Sequence, residues 1–445
     1  MAVAVVSCSL AARAQAPANL YDYSRQSAFE YDAAGWLVSE RVEPDRPDLC
    51  VKTTHTRDAW GNRTGVLTQP CAGASATASF AERSSTSTYG AQTVTVAGVS
   101  VGVPAGSYAT QARNALGHTE DRTHDPRFGT VLSLQGPNGL LTRWSVDGFG
   151  RIVREDRADG TASVTEHCLI AGRGLDTASN TAGCGTTAAL SGRSDEIPAQ
   201  AVAYVQTTLL DTQGAVMGGR SRTYTDRAGR TVRELAEVPL NHDAQPASRR
   251  WTVRDTAYSD TGVPVLKTQP YFLGTGSSTT TGSDDHGLDV STVDALGRVV
   301  RIDSADPAGS VQATLHGYSR RWARTVVEHS GLSTTTTNPQ GHTRREEKNV
   351  DGRVVRITDA TGAQLAHQHD AFGLLVQTQD ALQNLVRMGY DIRGRKTRLE
   401  DPDTGLWTYE YNALGELVRQ QSPNQRAATR PASSTPPWLT TSWAG

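Results

Sequence analysis

At 445 residues the chain exceeds the usual size of one compact domain, so it is either several domains or one extended repeat array. Only 37% of residues are aliphatic or aromatic, against 42 glycines, a profile for many short strands and tight turns rather than large helical cores. The 44 Lys and Arg nearly balance the 46 Asp and Glu, which excludes a global field toward nucleic acid or anionic lipid, and no apolar run is long enough to span a membrane as a helix.

The first segment in chain order is small and apolar from Ala2 to Ala12, and Ala14-Gln15-Ala16 has the small-x-small form of a signal-peptidase site. Residues 1–16 are therefore expected to be a signal peptide cut before Pro17 or Ala18; it has no Lys/Arg-rich beginning, and a start further upstream is the expectation that follows. Loss of Cys8 leaves four cysteines in two local pairs, Cys50 with Cys71 and Cys168 with Cys184. Two disulfides are the expected pairing, each closing a loop of roughly twenty residues and contributing about 2–4 kcal/mol. No Cys-x-x-Cys occurs, so a thiolate zinc site is not expected.

From Asp32 onward one unit recurs: Asp or Asn, two variable residues, Gly, then a short apolar run. Its copies are Asp32 to Gly35, Asp58 to Gly61, Asn114 to Gly117, Asp147 to Gly150, Asp226 to Gly229 and Asp294 to Gly297. They continue as Asn338 to Gly341, Asp359 to Gly362, Asp370 to Gly373, Asp391 to Gly394 and Asn412 to Gly415. Asp380 opens a degenerate copy with Gln383 in the glycine position, and Asp401 opens one with an extra residue before Gly405. From Asp359 to Asn412 the starts lie 11, 10, 11, 10 and 11 residues apart. Two turns thus recur every 21 residues, which leaves about six for each strand.

The residue types explain the unit. An Asp or Asn oxygen accepts from the backbone N–H two residues on, and Gly supplies a positive φ without a Cβ clash, so the turn is encoded twice. The run after the glycine is β-branched, as in Gly229-Arg230-Thr231-Val232-Arg233 and Gly297-Arg298-Val299-Val300-Arg301. Ahead of the turns apolar residues alternate, as in Phe29 and Tyr31, or Trp407, Tyr409 and Tyr411. Stacked hairpins would line these rings into a ladder. Val300 and Val418 are expected to face a neighbouring strand.

Tyr390-Asp391-Ile392-Arg393-Gly394-Arg395 at this period resembles the YD repeat of RHS proteins. Tyr31-Asp32-Ala33-Ala34-Gly35 and Tyr411-Asn412-Ala413-Leu414-Gly415 depart from it once each, while Asp147, Asp226 and Asp294 keep the turn without the tyrosine. The resemblance covers roughly residues 20–420, with gaps. It implies an all-β fold, a YD-repeat array of antiparallel β-hairpins forming part of a spiralling β-sheet shell, as in RHS proteins, toxin-complex cocoons and teneurins. It implies too that such a shell encloses a variable C-terminal toxin on which the repeats do no chemistry.

The domain expectation is a scaffold over 17–420, interrupted near 72–111, 168–201 and 274–287 by loops or extra hairpins. The family's closing segment has no match here. After Gln420 the chain passes into Arg430-Pro431-Ala432-Ser433-Ser434-Thr435-Pro436-Pro437, so residues 421–445 read as a disordered or out-of-frame tail and the copy as partial. No nucleophile elbow, His-Glu-x-x-His, phosphate loop or EF-hand is present, and no cofactor is expected. His367 and His369 would share a strand face but lack a third ligand. The expected function is a non-enzymatic scaffold, secreted or on the cell surface, whose partners are downstream RHS repeats or a toxin polypeptide. The alternative is an adhesin that binds cell-surface glycan through exposed Tyr and Trp.

Overall fold

The computed structural model describes residues 2–8, 25–96, 98–170, 173, 196–239, 249–273 and 287–425. These residues form thirty-three strands, and every strand pairing found among them is antiparallel. Among the described residues helical backbone is confined to Glu196 and to residues 423–425. The chain is all-β. It divides into two compact units, one of Met1–Ser87, Arg113–Gly117 and Arg345–Gly445, the other of Thr88–Ala112 and His118–Arg344.

In the first unit, strands Ala2–Cys8, Arg25–Tyr31, Leu37–Val42, Val51–Arg57, Arg63–Pro70 and Arg83–Thr88 each pair with the next. A second ladder runs strand by strand from Thr343–Lys348 to Leu417–Gln421. Strand alternation sorts its residues. Register puts Ile357, Leu365, Thr378, Val386, Leu399 and Trp407 on one face and Arg356, Ala366, Gln377, Arg387 and Glu400 on the other. Most of these positions are half-buried. The two ladders are joined by Ala413 donating its N–H to the Ala78 carbonyl at 2.7 Å and by Arg25 Nε donating to the Ile392 carbonyl at 2.6 Å.

Cys50 and Cys71 are disulfide-bonded just past the Val51↔Pro70 pair, closing the open end of that hairpin. Val300 is half-buried, whereas Val418 is 48% exposed. The expectation of cover at Val418 fails because its strand, Leu417–Gln421, has a described neighbour, Gly405–Tyr411, on one side alone.

In the second unit, strands follow one another from Thr119–His124 to Arg249–Tyr258. Arg249–Tyr258 then pairs with both Pro264–Thr268 and Tyr271–Phe272. Gln92–Val96 and Val99–Val103 form a separate two-stranded sheet inside the stretch expected to be an insertion. Cys168, Ile170, Ala201, Tyr204, Tyr224, Val232, Leu235 and Val253 make one buried cluster, and Leu266, Leu288, Val290 and Trp322 another.

The turns fix the register of all these hairpins. At Asp32, Asp147, Asp226, Asp294, Asp370, Asp391 and Asn412 the first residue's N–H donates to the carbonyl four residues on, at 2.9–3.0 Å, and its own carbonyl accepts from the glycine N–H at 2.9–3.1 Å. Gly35, Gly150, Gly229, Gly297, Gly373, Gly394 and Gly415 hold φ between +75° and +106°. A type I turn followed by a left-handed residue adds one residue to one strand, and each of these hairpins shows the corresponding register shift at its last pair.

Gln383 occupies the same position in its turn with φ +68°, where a Cβ is strained. Replacing Gln383 with Gly is expected to raise stability by about 0.5–1 kcal/mol, the relief of a left-handed side chain less the extra freedom of glycine in the unfolded chain. Gly35→Ala should lower it by about 1–2 kcal/mol through backbone strain alone, because a Cβ there meets nothing within 4 Å. Urea unfolding of each variant against the parent checks both signs.

Candidate functional site

The repeated turn is the candidate site, and its side chains form one connected unit. The Oδ1 of Asp32, Asp147, Asp226, Asp294, Asp370 and Asp391 accepts from the backbone N–H groups two and four residues on, at 2.8–3.0 Å. Asn412 uses the N–H groups of Gly415 and Glu416. At four of these turns Oδ2 takes the side chain of the residue after the glycine. Arg151, Arg230, Arg298 and Arg395 donate Nε to it at 2.6–2.8 Å. Sequence reasoning left that arginine as an ordinary strand residue.

Successive turns of an antiparallel meander fall on opposite edges, so the 21-residue period brings alternate turns together on one edge. Tyrosine joins them. Tyr390, Tyr411 and Tyr258 donate their hydroxyls at 2.9 Å to the carbonyls of Leu375, Lys396 and Thr231. Each acceptor lies five residues after the turn residue Asp370, Asp391 or Asp226. At the turn begun by Asp294 the ring Nε2 of His329 takes the equivalent carbonyl, Val299, at 2.9 Å and must carry the proton there. The arginine completes the tie, because Arg395 lies over the Tyr411 ring at 5.2 Å and Arg230 over the Tyr258 ring at 4.6 Å. Arg395 also donates Nη1 to the Asn412 carbonyl at 2.6 Å.

Trp36 stands where the arginine belongs after Gly35, and Arg57 stands where the tyrosine belongs before Asp58. Arg57 lies over the Trp36 ring at 4.9 Å, so the cation–π contact is kept with its partners exchanged. The same backbone turn also occurs at Asp211 and Asn349, further copies of the motif, and at Arg157 and Ser259, which no Asx pattern could have found; at Asp306 the Gly309 N–H closes in the same way, but the Asp306 N–H donates to the Arg321 carbonyl at 3.1 Å.

The second unit holds a buried polar network. Glu196, fully buried, accepts from Arg222 Nη1 at 3.2 Å and from the Tyr224 hydroxyl at 3.1 Å. Arg222 continues to Gln206 at 2.8 Å, and Gln206 to Glu166 at 2.7 Å. Arg233 grips Asp255 through two bonds of 2.6 and 2.8 Å, and the Tyr271 hydroxyl donates to the same carboxylate at 2.6 Å. Burial pushes the Tyr224 and Tyr271 phenols up, so both stay protonated donors. Glu196 lies in the segment read as an insertion. Its role was invisible because its partners are 26 and 28 residues away. Cys168 is buried and disulfide-bonded, and Cys184 lies outside the described residues. His367 Nδ1 lies 3.2 Å from the Thr378 hydroxyl.

Burial raises the carboxyls of Asp147 and Asp226, but hydrogen bonds from Arg151 and Arg230 more than reverse this, and both titrate below the ordinary value of 3.8. At Asp294 the backbone N–H and guanidinium of Arg298 hold the group down. Burial first, then nearby arginines, pushes His55, His124 and His369 below 6.5. In both classes the unfolded chain binds protons at a higher pH than the folded one, so acid removes stability. Thermal melts are expected to fall in two stages, from about pH 6.5 for the histidines and again below about pH 4 for the turn carboxylates. A melting temperature that stays flat from neutrality to pH 3 would contradict this. For the exchanged pair, Trp36→Arg with Arg57→Trp should stay within about 0.5 kcal/mol of the parent, while either change alone loses about 1 kcal/mol in denaturant titrations.

A family model described as RHS Repeat matches residues 349–385, which contain the turns at Asn349, Asp359, Asp370 and Asp380. Double-stranded DNA deaminase toxin A of Burkholderia cenocepacia (strain H111) is 39% identical over 75 residues, 16% of this chain and 5% of the relative. The crystal structure of TcdB2-TccC3-TEV matches with a TM-score of 0.53 at 13% identity, over 94% of this chain and 30% of that one. The Tc holotoxin pore of Photorhabdus luminescens matches with a TM-score of 0.51 at 13% identity, over 90% and 30%. The chain therefore spans a small part of each, and the likeness to the solved structures is one of fold. The RHS repeat matched at residues 349–385 and the tied turns on either side of it thus stand within an antiparallel β fold shared with these solved structures.

Proposed function

We propose that the chain is a non-enzymatic β-scaffold, part of a shell of the kind that encloses a toxin polypeptide, and that it is secreted or on the cell surface. The observation that carries this reading is the use of the repeat's own chemistry. The Asp, Arg and Tyr side chains that recur along the chain are engaged with turn backbone and with one another, as at Asp391, Arg395 and Tyr411. The toxin named among the relatives, and the Tc toxin among the solved structures, associate this repeat type with toxins. No helix among the described residues is long and apolar enough to cross a membrane.

Export fits the Cys50–Cys71 disulfide, since such bonds persist in oxidising compartments. On this reading residues 1–16 are the signal, so that strand Ala2–Cys8 leaves with it and Arg25–Tyr31 becomes the sheet edge, residues 17–420 are the scaffold, and Cys168 pairs with Cys184. The partners are further RHS repeats and a toxin segment joined to them. A second reading, glycan adhesion, draws on exposed rings at turn tips, Trp60 at 66% and Phe149 at 81%.

The test joins a protease-sensitive, unstructured reporter behind the full chain together with any repeats that follow it in its natural reading frame. The reporter is expected to be cut markedly more slowly when attached than when free, and secreted material to begin at Pro17 or Ala18. Cutting at the free rate, with retention on a glycan array, would favour adhesion instead.

A further inference from the structure

We propose that the groove beside the outer edge of strand Gln92–Val96 binds an extended polypeptide as an added β-strand, with an acidic side chain of that polypeptide set against Arg143. The groove has a volume of about 670 Å³ and lies wholly within the second unit. One wall is Thr93, Val94, Thr95 and Val96, and Thr123, Ser133, Arg143 and Asp156 also line it.

The wall is a strand edge without a strand partner among the described residues, because Gln92–Val96 pairs with Val99–Val103 in a sheet of two. Register sets Val96 opposite Val99, Val94 opposite Val101 and Gln92 opposite Val103. In a hairpin with a two-residue connection the pair flanking the loop exchanges both backbone bonds, as does every second pair after it. Gln92, Val94 and Val96 therefore turn their N–H and C=O groups toward the partner strand. Thr93 and Thr95 turn theirs outward. The edge Gln92-Thr93-Val94-Thr95-Val96 has none of the features that blunt exposed edges, neither charge nor proline, and is rich in β-branched residues.

Opposite it, Thr123, Ser133, Arg143 and Asp156 are successive cross-strand neighbours, a polar row over four strands. The carboxylates in the lining are each matched: Asp125 by Arg127 at 2.8 Å, Asp147 by Arg151 at 2.6 Å and Asp156 by Arg154 at 2.6 Å. Arg143 is exposed and enters none of the ion pairs found among the described residues, so its guanidinium is the one charge of the lining left unmatched once Arg127, Arg151 and Arg154 are paired with the three carboxylates. Backbone donors and acceptors on one side and an unmatched guanidinium on the other suit a peptide strand bearing Asp or Glu.

The experiment uses the full chain and two immobilised pools of random octapeptides, one with Asp and one with Lys fixed at the fourth position. Retention is expected on the Asp pool. A peptide selected from it should lose at least roughly tenfold in affinity when alternate amides are N-methylated. Thr95→Pro should cost a similar factor, since it removes an outward N–H at an edge position that tolerates proline. Arg143→Glu should shift retention to the Lys pool. Equal retention on both pools, or on neither, would overturn the proposal. So would indifference to N-methylation, which needs no variant to fold, or binding of a linear oligosaccharide at this groove in place of the peptides.

Discussion

A carboxylate folded back on its own backbone is the constraint from which this structure grows. In the turn begun by Asp391 one oxygen satisfies the N–H groups of Arg393 and Arg395, and the other receives the Arg395 guanidinium. The hairpin's connection is thereby hydrogen-bonded within itself, by contacts that need no other part of the chain. Its length cannot slip without breaking these bonds, and a slip of one residue would turn every strand side chain to the opposite face. The left-handed glycine serves the same end from the backbone side. Local chemistry, not burial, sets the register.

What local chemistry cannot do is hold one hairpin to another. Arginine and tyrosine do this at the sheet edge, where the Tyr411 hydroxyl reaches back to Lys396 and its ring lies under Arg395. The substitutions show which feature is required. His329 replaces the tyrosine but keeps the hydrogen bond to the carbonyl, whereas Trp36 and Arg57 keep the ring–guanidinium contact with their chain positions exchanged. The constraint acts on contacts between adjacent repeats, and more than one assignment of residues meets it.

That distinction explains what could be read in advance. Turns were legible at Asp32, Asp147, Asp226, Asp294, Asp370, Asp391 and Asn412 because all their bonds lie within five residues. The strands between them followed from the period. The meaning of the arginine after the glycine was not legible, since it depends on which turns share an edge, and Tyr390 could be read as packing without its bond to Leu375, fifteen residues away. Glu196 was further out of reach. Nothing near it in the sequence marks a residue that will be buried between Arg222 and Tyr224.

The two units solve the same burial problem differently. Strands with half-buried faces, such as those from Val354–Thr358 to Gly405–Tyr411, gain little from a core and depend on the edge ties described above. In the second unit a longer interruption of the repeat lets Ile170, Ala201 and Glu196 cover the face that carries Tyr204, Tyr224 and Arg222. Covering that face desolvates the arginine. An unpartnered buried guanidinium would cost several kcal/mol, so the covering segment has to bring a carboxylate with it. Glu196 is that carboxylate, and Arg233 holds the same segment by donating to the Glu196 carbonyl at 2.9 Å. The interruption is thus tied to the sheet by the charge it neutralises, and loss of either partner would expose the other's desolvation cost.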